Sequence, residues 1–269
     1  MSPFKIRQGS SPVILAFPHT GTEVPADIAA RLNDEGRKLR DTDWHIHKLY
    51  DGLLPGATTV RATYHRYVID ANRDPSGVSL YPGQNTTSLV PLTDFDNQPI
   101  WKPGAELDEA EIGRRLAEFH RPYHAALKAE IERVKAAHGI AAVYDCHSIR
   151  SRCPFLFDGV LPDFNIGTDN GKTCAPEFER AVADICAGAD GYSSVLNGRF
   201  RGGWTTRHYG RPETGVHAIQ MELAQITHLV SEEPPFALDD GKAGLLRAVL
   251  AEILNAVETT AHQLSGVRS

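Results

Sequence analysis

Cysteine is scarce: Cys146, Cys153, Cys174 and Cys186 are the four in 269 residues, and none forms a C-x-x-C pair. A disulfide framework is therefore excluded. Basic runs are absent as well. No five Lys or Arg follow one another, and 28 Lys+Arg against 34 Asp+Glu leave a net charge of −6. Phosphate binding needs clustered basic side chains, so nucleic acid is not an expected partner. Long apolar runs are missing too: residues 12–18 fall far short of the ~20 that span a bilayer. The opening MSPFKIRQGSSP has no apolar signal-peptide core. The expectation is a cytoplasmic protein that enters no membrane. No internal repeat, low-complexity linker, G-x-G-x-x-G or phosphate loop occurs. The 41% hydrophobic and 23% charged content is ordinary for folded chains and excludes disorder and collagen. A chain of this length buries a core without staples. Nothing marks a boundary, so residues 1–269 are expected to form a single domain, and no pattern specifies an oligomeric state.

What is present is an alternation of short apolar runs and helical spacings. Residues 13–17, closed by Pro18, predict a buried strand. Further strands are predicted at 58–62, 67–69, 140–144 and 216–223. Over 108–138, Ile112, Leu116, Phe119, Tyr123, Leu127, Ile131 and Val134 step by three and four, and Gly139 supplies a helix stop. Helices are also predicted at 175–187 and 242–264. Residues 75–104 are rich in Pro, Gly, Asn, Ser and Thr, and irregular segments of that length are usually functional. Strands alternating with helices predict an α/β fold with a mixed, largely parallel sheet flanked by helices.

In such sheets ligands bind beyond the carboxyl ends of the strands. His19 follows the first predicted strand, the Asp70-Ala71-Asn72-Arg73-Asp74 stretch follows the third, and Asp145-Cys146-His147-Ser148 follows the fourth. Two histidines so placed, with carboxylates nearby, suit a catalytic zinc site of three protein ligands plus water. Either histidine alone would more simply be a hydrogen-bonded loop residue. For the third ligand the candidates are Glu23, four residues after His19, and Asp43 in the His- and Asp-rich stretch 41–47. His45 and His47 read more simply as surface or supporting groups. Asp145 can orient a ligand histidine or cap a turn. Cys146 and His147 are adjacent in a strand and so point to opposite faces, which argues against a Cys-His nucleophile. Ser148 lacks a nucleophile-elbow context.

Glu222 sits between Met221 and Leu223 in an apolar strand, where a carboxylate is costly unless paired or functional. A carboxyl with its pKa raised by burial suits a general base; the alternative is a structural ion pair. Arg73 can bind a substrate carboxylate through its planar fork, or pair with Asp70 or Asp74. Residues 199–211 carry Arg199, Arg201, Arg207 and Arg211 among glycines and aromatics. That composition reads as a binding loop for an acidic small molecule.

These pieces together resemble the N-formylglutamate amidohydrolases, or N-formylglutamate deformylases, of histidine degradation. The resemblance rests on Phe17-Pro18-His19-Thr20-Gly21-Thr22-Glu23-Val24-Pro25, Asp41-Thr42-Asp43-Trp44, the run from Val68 to Pro75, Asp145-Cys146-His147-Ser148-Ile149, the run from Leu161 to Gly167, and Arg201-Gly202-Gly203-Trp204 through to Leu223. It implies a fold similar to the zinc carboxypeptidases and aspartoacylases, with one Zn²⁺ per chain at the strand ends. It implies His19 and His147 as metal ligands, Glu222 as the catalytic carboxylate, and Asn72-Arg73 as the pair that holds a substrate carboxylate. For the carboxylate ligand it favours Asp43, where the family keeps an Asp, with Glu23, where the family varies, as the alternative; Glu23 stands at +4 from His19, a departure from the His-x-x-Glu pattern of the zinc carboxypeptidases. Arg207 is the first choice for the second substrate carboxylate, with His208 beside it. The implied reaction is metal-dependent hydrolysis of N-formyl-L-glutamate. A hydrolase of another N-acyl amino acid or small peptide, and a non-catalytic sensor of an acidic metabolite, are the alternatives.

Overall fold

A computed structural model of the chain describes residues 2–105 and 107–266. Seven strands form one sheet: β1 (Phe4–Arg7), β2 (Val13–Phe17), β3 (Thr58–Ala62), β4 (Ala141–Ile149), β5 (Phe164–Gly167), β6 (Ser194–Leu196) and β7 (Val216–Ala224), in the order β1-β3-β2-β4-β7-β5-β6. The four pairings β2–β3, β2–β4, β4–β7 and β5–β6 are parallel; β1–β3 and β5–β7 are antiparallel. The helices are α1 (Ala26–Ala29), α2 (Ile46–Leu49), α3 (Glu109–Arg115), α4 (Arg121–His138), α5 (Pro176–Gly188), α6 (Trp204–Tyr209) and α7 (Asp240–Leu264). This is the mixed, mostly parallel, helix-flanked sheet that the alternation of patterns predicts. Among the described residues no helix is long and apolar enough to cross a membrane.

The two faces of the sheet are covered separately. Leu15, Tyr144, Cys146 and Met221 pack with Leu246, Leu250 and Ile253 of α7 and Phe178 of α5. Ile14, Ala16, Val60 and Val143 pack on the other face with Tyr123, Leu127 and Ile131 of α4. The central strands β2, β4 and β7 are buried along their whole length, which is why they read as continuous apolar runs.

The helix predicted at 108–138 is one run in three parts. Asp108 caps it by accepting from the Glu111 N–H at 2.8 Å, and a π-helical turn at Leu116–His120 joins α3 to α4. Gly139, at φ 74°, ends it in the left-handed conformation glycine adopts without strain. The strand predicted at 67–69 is instead a turn, closed by the Val68 N–H donating to the His65 carbonyl at 2.9 Å. Its residues are apolar because they are wholly buried, not because they pair in the sheet. The strand predicted at 140–144 runs on to Ile149, so Asp145 and His147 lie within it rather than beyond it. Periodicity missed β1, β5 and β6, which are only three or four residues long.

Candidate active site

The register of β4 and β7 sets the centre of the site. His147 lies beside Glu222, and Asp145 beside Gln220. Side chains alternate along a strand, so these four share one face. Cys146 and Met221 enter the α7-side core, and Cys146 is therefore turned away from His147 as expected. His19 lies two residues past β2, the other neighbour of β4. Asp43 lies in the loop before α2. Its N–H donates to the His19 carbonyl at 3.0 Å, and its Oδ2 accepts from the Ser148 N–H at 3.1 Å. One loop residue is thus fastened to both strand ends.

His19, Asp43 and His147 meet in the interior, each at most 2% exposed. The His19 and His147 Nδ1 atoms are 3.2 Å apart. Asp43 Oδ2 is 3.1 Å from His147 Nδ1 and 3.8 Å from His19 Nδ1. A tetrahedral ion with ligands at ~2.0–2.1 Å separates its donors by roughly 3.3–3.4 Å. The three edges bracket that spacing. Asp43 Oδ1 is buried without a hydrogen-bond partner, which also suits a cation beside it. The donor set therefore fits one divalent metal ion. Glu23 is not in this group; it lies at a bridge to Tyr64, so the geometry supplies Asp43 as the carboxylate.

The outer nitrogen of each imidazole meets its own carboxylate. The Nε2–H of His19 donates to Asp70 Oδ1 at 2.7 Å, and His147 Nε2 is 3.1 Å from Asp145 Oδ1. The Asp70 partner assigns the tautomer that leaves His19 Nδ1 free to ligate, while His147 Nε2 lies between Asp145 and the Asn72 side-chain amide, 3.2 Å from Asn72 Nδ2. Asp145 thus lies within β4 at ion-pair distance from His147, and not at a turn. Asp70 also accepts from Arg66 Nη2 at 2.7 Å and from the Asn72 N–H at 2.8 Å. Burial opposes its ionisation, but Arg66 and Arg73 outweigh that and hold its pKa well below the usual carboxylate range. His147 is pulled the opposite way: burial disfavours its cation, yet Asp145, Asp43 and Glu222 raise its pKa well above the ordinary value. His19 moves the other way: burial and then Arg66 lower its pKa despite Asp70 and Asp43.

Glu222 lines the same cleft. Burial pushes its carboxyl up to about 8, with Asp43 and Asp145 adding to the rise while His147 and Arg66 oppose it. Its Oε2 accepts from Gln220 Nε2 at 3.1 Å, and Gln220 Oε1 accepts from the Gly203 N–H at 2.6 Å. Gly203 is required there, because a Cβ would sit 2.3 Å from Asn72 Nδ2. Asn72 Oδ1 in turn accepts from the Thr205 N–H at 2.8 Å.

Arg73 lines the cleft with most of its fork anchored. Nε and Nη2 donate to Thr87 O and Oγ1, both at 2.9 Å, and Nη1 donates to the Asn72 carbonyl at 3.1 Å. A guanidinium has five N–H donors, so about two remain for a ligand. Arg199 also lines the cleft, lying over Tyr81 and Phe200. Arg207 does not. Its Nε donates to the Gly202 carbonyl at 2.8 Å and its Nη1 lies 3.4 Å from Asp169 Oδ1. His208 stacks on Trp204 at 4.2 Å and is exposed away from the cleft. Of the 199–211 loop, the cleft thus receives Arg199, Phe200 and Gly203. His45 hydrogen-bonds the Phe236 carbonyl, and neither it nor His47 joins the metal-ligating group.

The 75–104 segment supplies Tyr81, Asn85, Thr86, Thr87 and Phe95 to the same cleft, consistent with a functional irregular segment. Residue reading alone missed Arg66, Gln220, Tyr81 and Asn85. Gln220 had a signal, since it stands two residues before Glu222 in a strand and so shares its face. Arg66 had none, because its aim is set by the buried turn at 66–68.

Comparison with known proteins gives a consistent picture. A family model described as N-formylglutamate amidohydrolase matches residues 11–229. A protein of Pseudomonas aeruginosa named N-formylglutamate deformylase is 46% identical over 252 residues, covering 93% of this chain and 94% of its own. A protein of the same name from Pseudomonas putida is 45% identical over 251 residues, covering 93% of each. The solved structure of an N-formylglutamate amidohydrolase from Ralstonia eutropha JMP134 superposes with a TM-score of 0.78 at 27% identity, covering 95% of this chain and 97% of that one. A protein from Agrobacterium tumefaciens shares the fold, with a TM-score of 0.74 at 19% identity and 97% and 96% coverage.

Proposed function

The chain belongs to the N-formylglutamate amidohydrolase family, and from that premise we propose that it hydrolyses N-formyl-L-glutamate to formate and L-glutamate as a metal-dependent step of histidine degradation in the cytoplasm. The observation that carries the reading is that the buried group His19, Asp43 and His147 adjoins a cleft lined by His19, His147 and Glu222 together with Arg73 and Arg199. Two imidazoles and a carboxylate are donors that zinc accepts, with one position left for water or substrate; the same set suits other divalent ions. When bound, the metal supplies a Lewis acid to the formyl oxygen and to the attacking water.

The remaining work falls to side chains. Glu222 takes a proton from water as the water oxygen bonds to the formyl carbon. The C–N bond then breaks, and Glu222 delivers that proton to the departing nitrogen, giving formate and the free amine. A carboxyl with a raised pKa holds the proton long enough to pass it on. Gln220 orients Glu222 through Oε2. Arg73 receives one substrate carboxylate and Arg199 the other, so a dicarboxylate substrate matches two separate cations. Arg66, held by Asp70, adds positive charge at the metal end of the cleft.

The test is metal content of the purified protein alongside formate release from N-formyl-L-glutamate, before and after chelation. About one zinc per chain, with release lost on chelation and restored by Zn²⁺, is the expected result. Release that persists in metal-free protein would overturn the mechanism. Metal-dependent cleavage of N-acetyl-glutamate in preference to the formyl compound would overturn the substrate.

A further inference from the structure

A second cleft, of roughly 350 Å³, lies against the edge of the sheet and shares no lining residue with the first. That volume is within the range of small-molecule pockets. Lys5, Arg7, Lys48 and Arg61 line it. In the antiparallel register of β1 and β3, Lys5 stands directly opposite Arg61, and Arg7 opposite Thr59. Three cations therefore share one face, and like charges directly opposite across strands are destabilising. Among the described residues, none of the four makes an ion pair. Asp51 lines the cleft, and Glu23 acts on Arg61 only at longer range. An acidic chain thus gathers four cations where it supplies them little compensating charge.

Two further observations point to a ligand. His47 and Arg61 line this cleft, and His47 Nδ1 and Arg61 Nε are buried polar atoms with no hydrogen-bond partner. Burial, then Arg61 and Lys48, hold the His47 pKa down to about 4, which reports the positive field in the cleft. Leu15, Phe17 and Tyr50 lie behind it, nearly fully buried. Cations approaching from β1, β3 and α2 suit a tetrahedral, multiply charged group better than a planar carboxylate, which one fork satisfies.

We propose that this cleft binds a small phosphorylated organic molecule, with the phosphate among Lys5, Arg7, Lys48 and Arg61. Its walls are continuous with the active-site loops. Arg61 Nη2 is 3.4 Å from the carbonyl of Thr20, the neighbour of His19, and His47 is four residues after Asp43.

Isothermal titration of the full-length, metal-loaded protein with phenyl phosphate, inorganic phosphate and succinate tests this. Saturable one-to-one binding of phenyl phosphate is expected, tighter than that of succinate. Both Arg61→Gln and the double variant Lys5→Gln/Arg7→Gln should weaken it tenfold or more, a step of ~1.4 kcal/mol. Lys5 and Arg7 are exposed, so the double variant keeps its fold. Arg73→Ala, which removes a cation from the other cleft, should leave the affinity unchanged. Binding that survives both cation variants, or disappears in Arg73→Ala, would overturn the site. Absence of saturable binding by any of the three would do the same. Succinate binding as tightly as phenyl phosphate would overturn the phosphate assignment.

Discussion

Replacing Arg199 with Ala probes how the active-site cleft selects a dicarboxylate. Arg199 Nε donates to the Leu156 carbonyl at 2.9 Å and Nη2 to the Asn85 carbonyl at 2.8 Å. Those bonds use two of the five guanidinium donors, and about three remain to face a ligand. A hydrogen bond between charged groups contributes about 1.5–3 kcal/mol, and each ~1.4 kcal/mol is tenfold. Arg199→Ala should therefore lower kcat/KM for N-formyl-L-glutamate by roughly 12- to 150-fold. N-formyl-L-glutamine lacks the side-chain charge, so its kcat/KM should fall by less than about threefold in the same variant. Arg207→Ala should cost less than about threefold on either substrate, because its fork is committed to Gly202 and Asp169 outside the cleft. The assay is formate release measured for both substrates with wild type and both variants. Equal losses on the two substrates would mean that Arg199 only props Leu156 and Asn85. A larger loss from Arg207→Ala would return the side-chain carboxylate to Arg207 and refute the reasoning from cleft geometry.

Glu222→Gln should reduce kcat by about 10²- to 10⁴-fold, the usual worth of a general acid–base, with zinc content and KM little changed; a kcat within fivefold of wild type would remove Glu222 from the proton path. Asp43→Asn should weaken zinc retention in a competitive chelator titration by at least about tenfold, while Glu23→Gln leaves it unaltered, and the reverse order would exchange the two carboxylates. Glu111 is the carboxylate partner of Arg115, whose side chain is fully buried, and Arg114 and Arg115 hold the Glu111 pKa down to about 2 from 4.5. A depressed carboxyl pKa contributes stability above pH 4.5 that is lost as pH falls toward 2. Urea denaturation should therefore show Glu111→Gln less stable by about 1 kcal/mol at pH 7, solvent screening taking much of the full shift, with the gap to wild type closing across that acid window; a gap independent of pH would contradict the linkage.

The α/β class, the buried strands β2, β4 and β7 and the long helices were legible because each depends on local periodicity. A strand buried on both faces is apolar throughout, and a helix packed on one face repeats every three to four residues. His19, His147 and Glu222 were legible for a related reason: a polar residue at the end of an apolar strand, or within one, stands out against its neighbours. The same logic failed at 67–69, because burial of a turn leaves the same apolar signature as burial of a strand. It also failed at β1, β5 and β6, which are too short to display a period. For the carboxylate ligand the residue pattern offered both Asp43 and Glu23, and only the resemblance to a family favoured Asp43.

What the chain order dictated by itself was the set of polar residues at strand ends and the alternation that separates Cys146 from His147. Only the tertiary structure decided which of them meet. Asp43 reaches the two histidines because its backbone is tied to His19 and its side chain to Ser148, contacts 24 and 105 residues apart in sequence. Arg199 lines the cleft while Arg207, within α6, is held by the Gly202 carbonyl and Asp169, a difference of tertiary contacts that composition does not encode. Hydrogen bonds between distant segments carry no periodic trace, so the placement of the loops had to come from the folded chain.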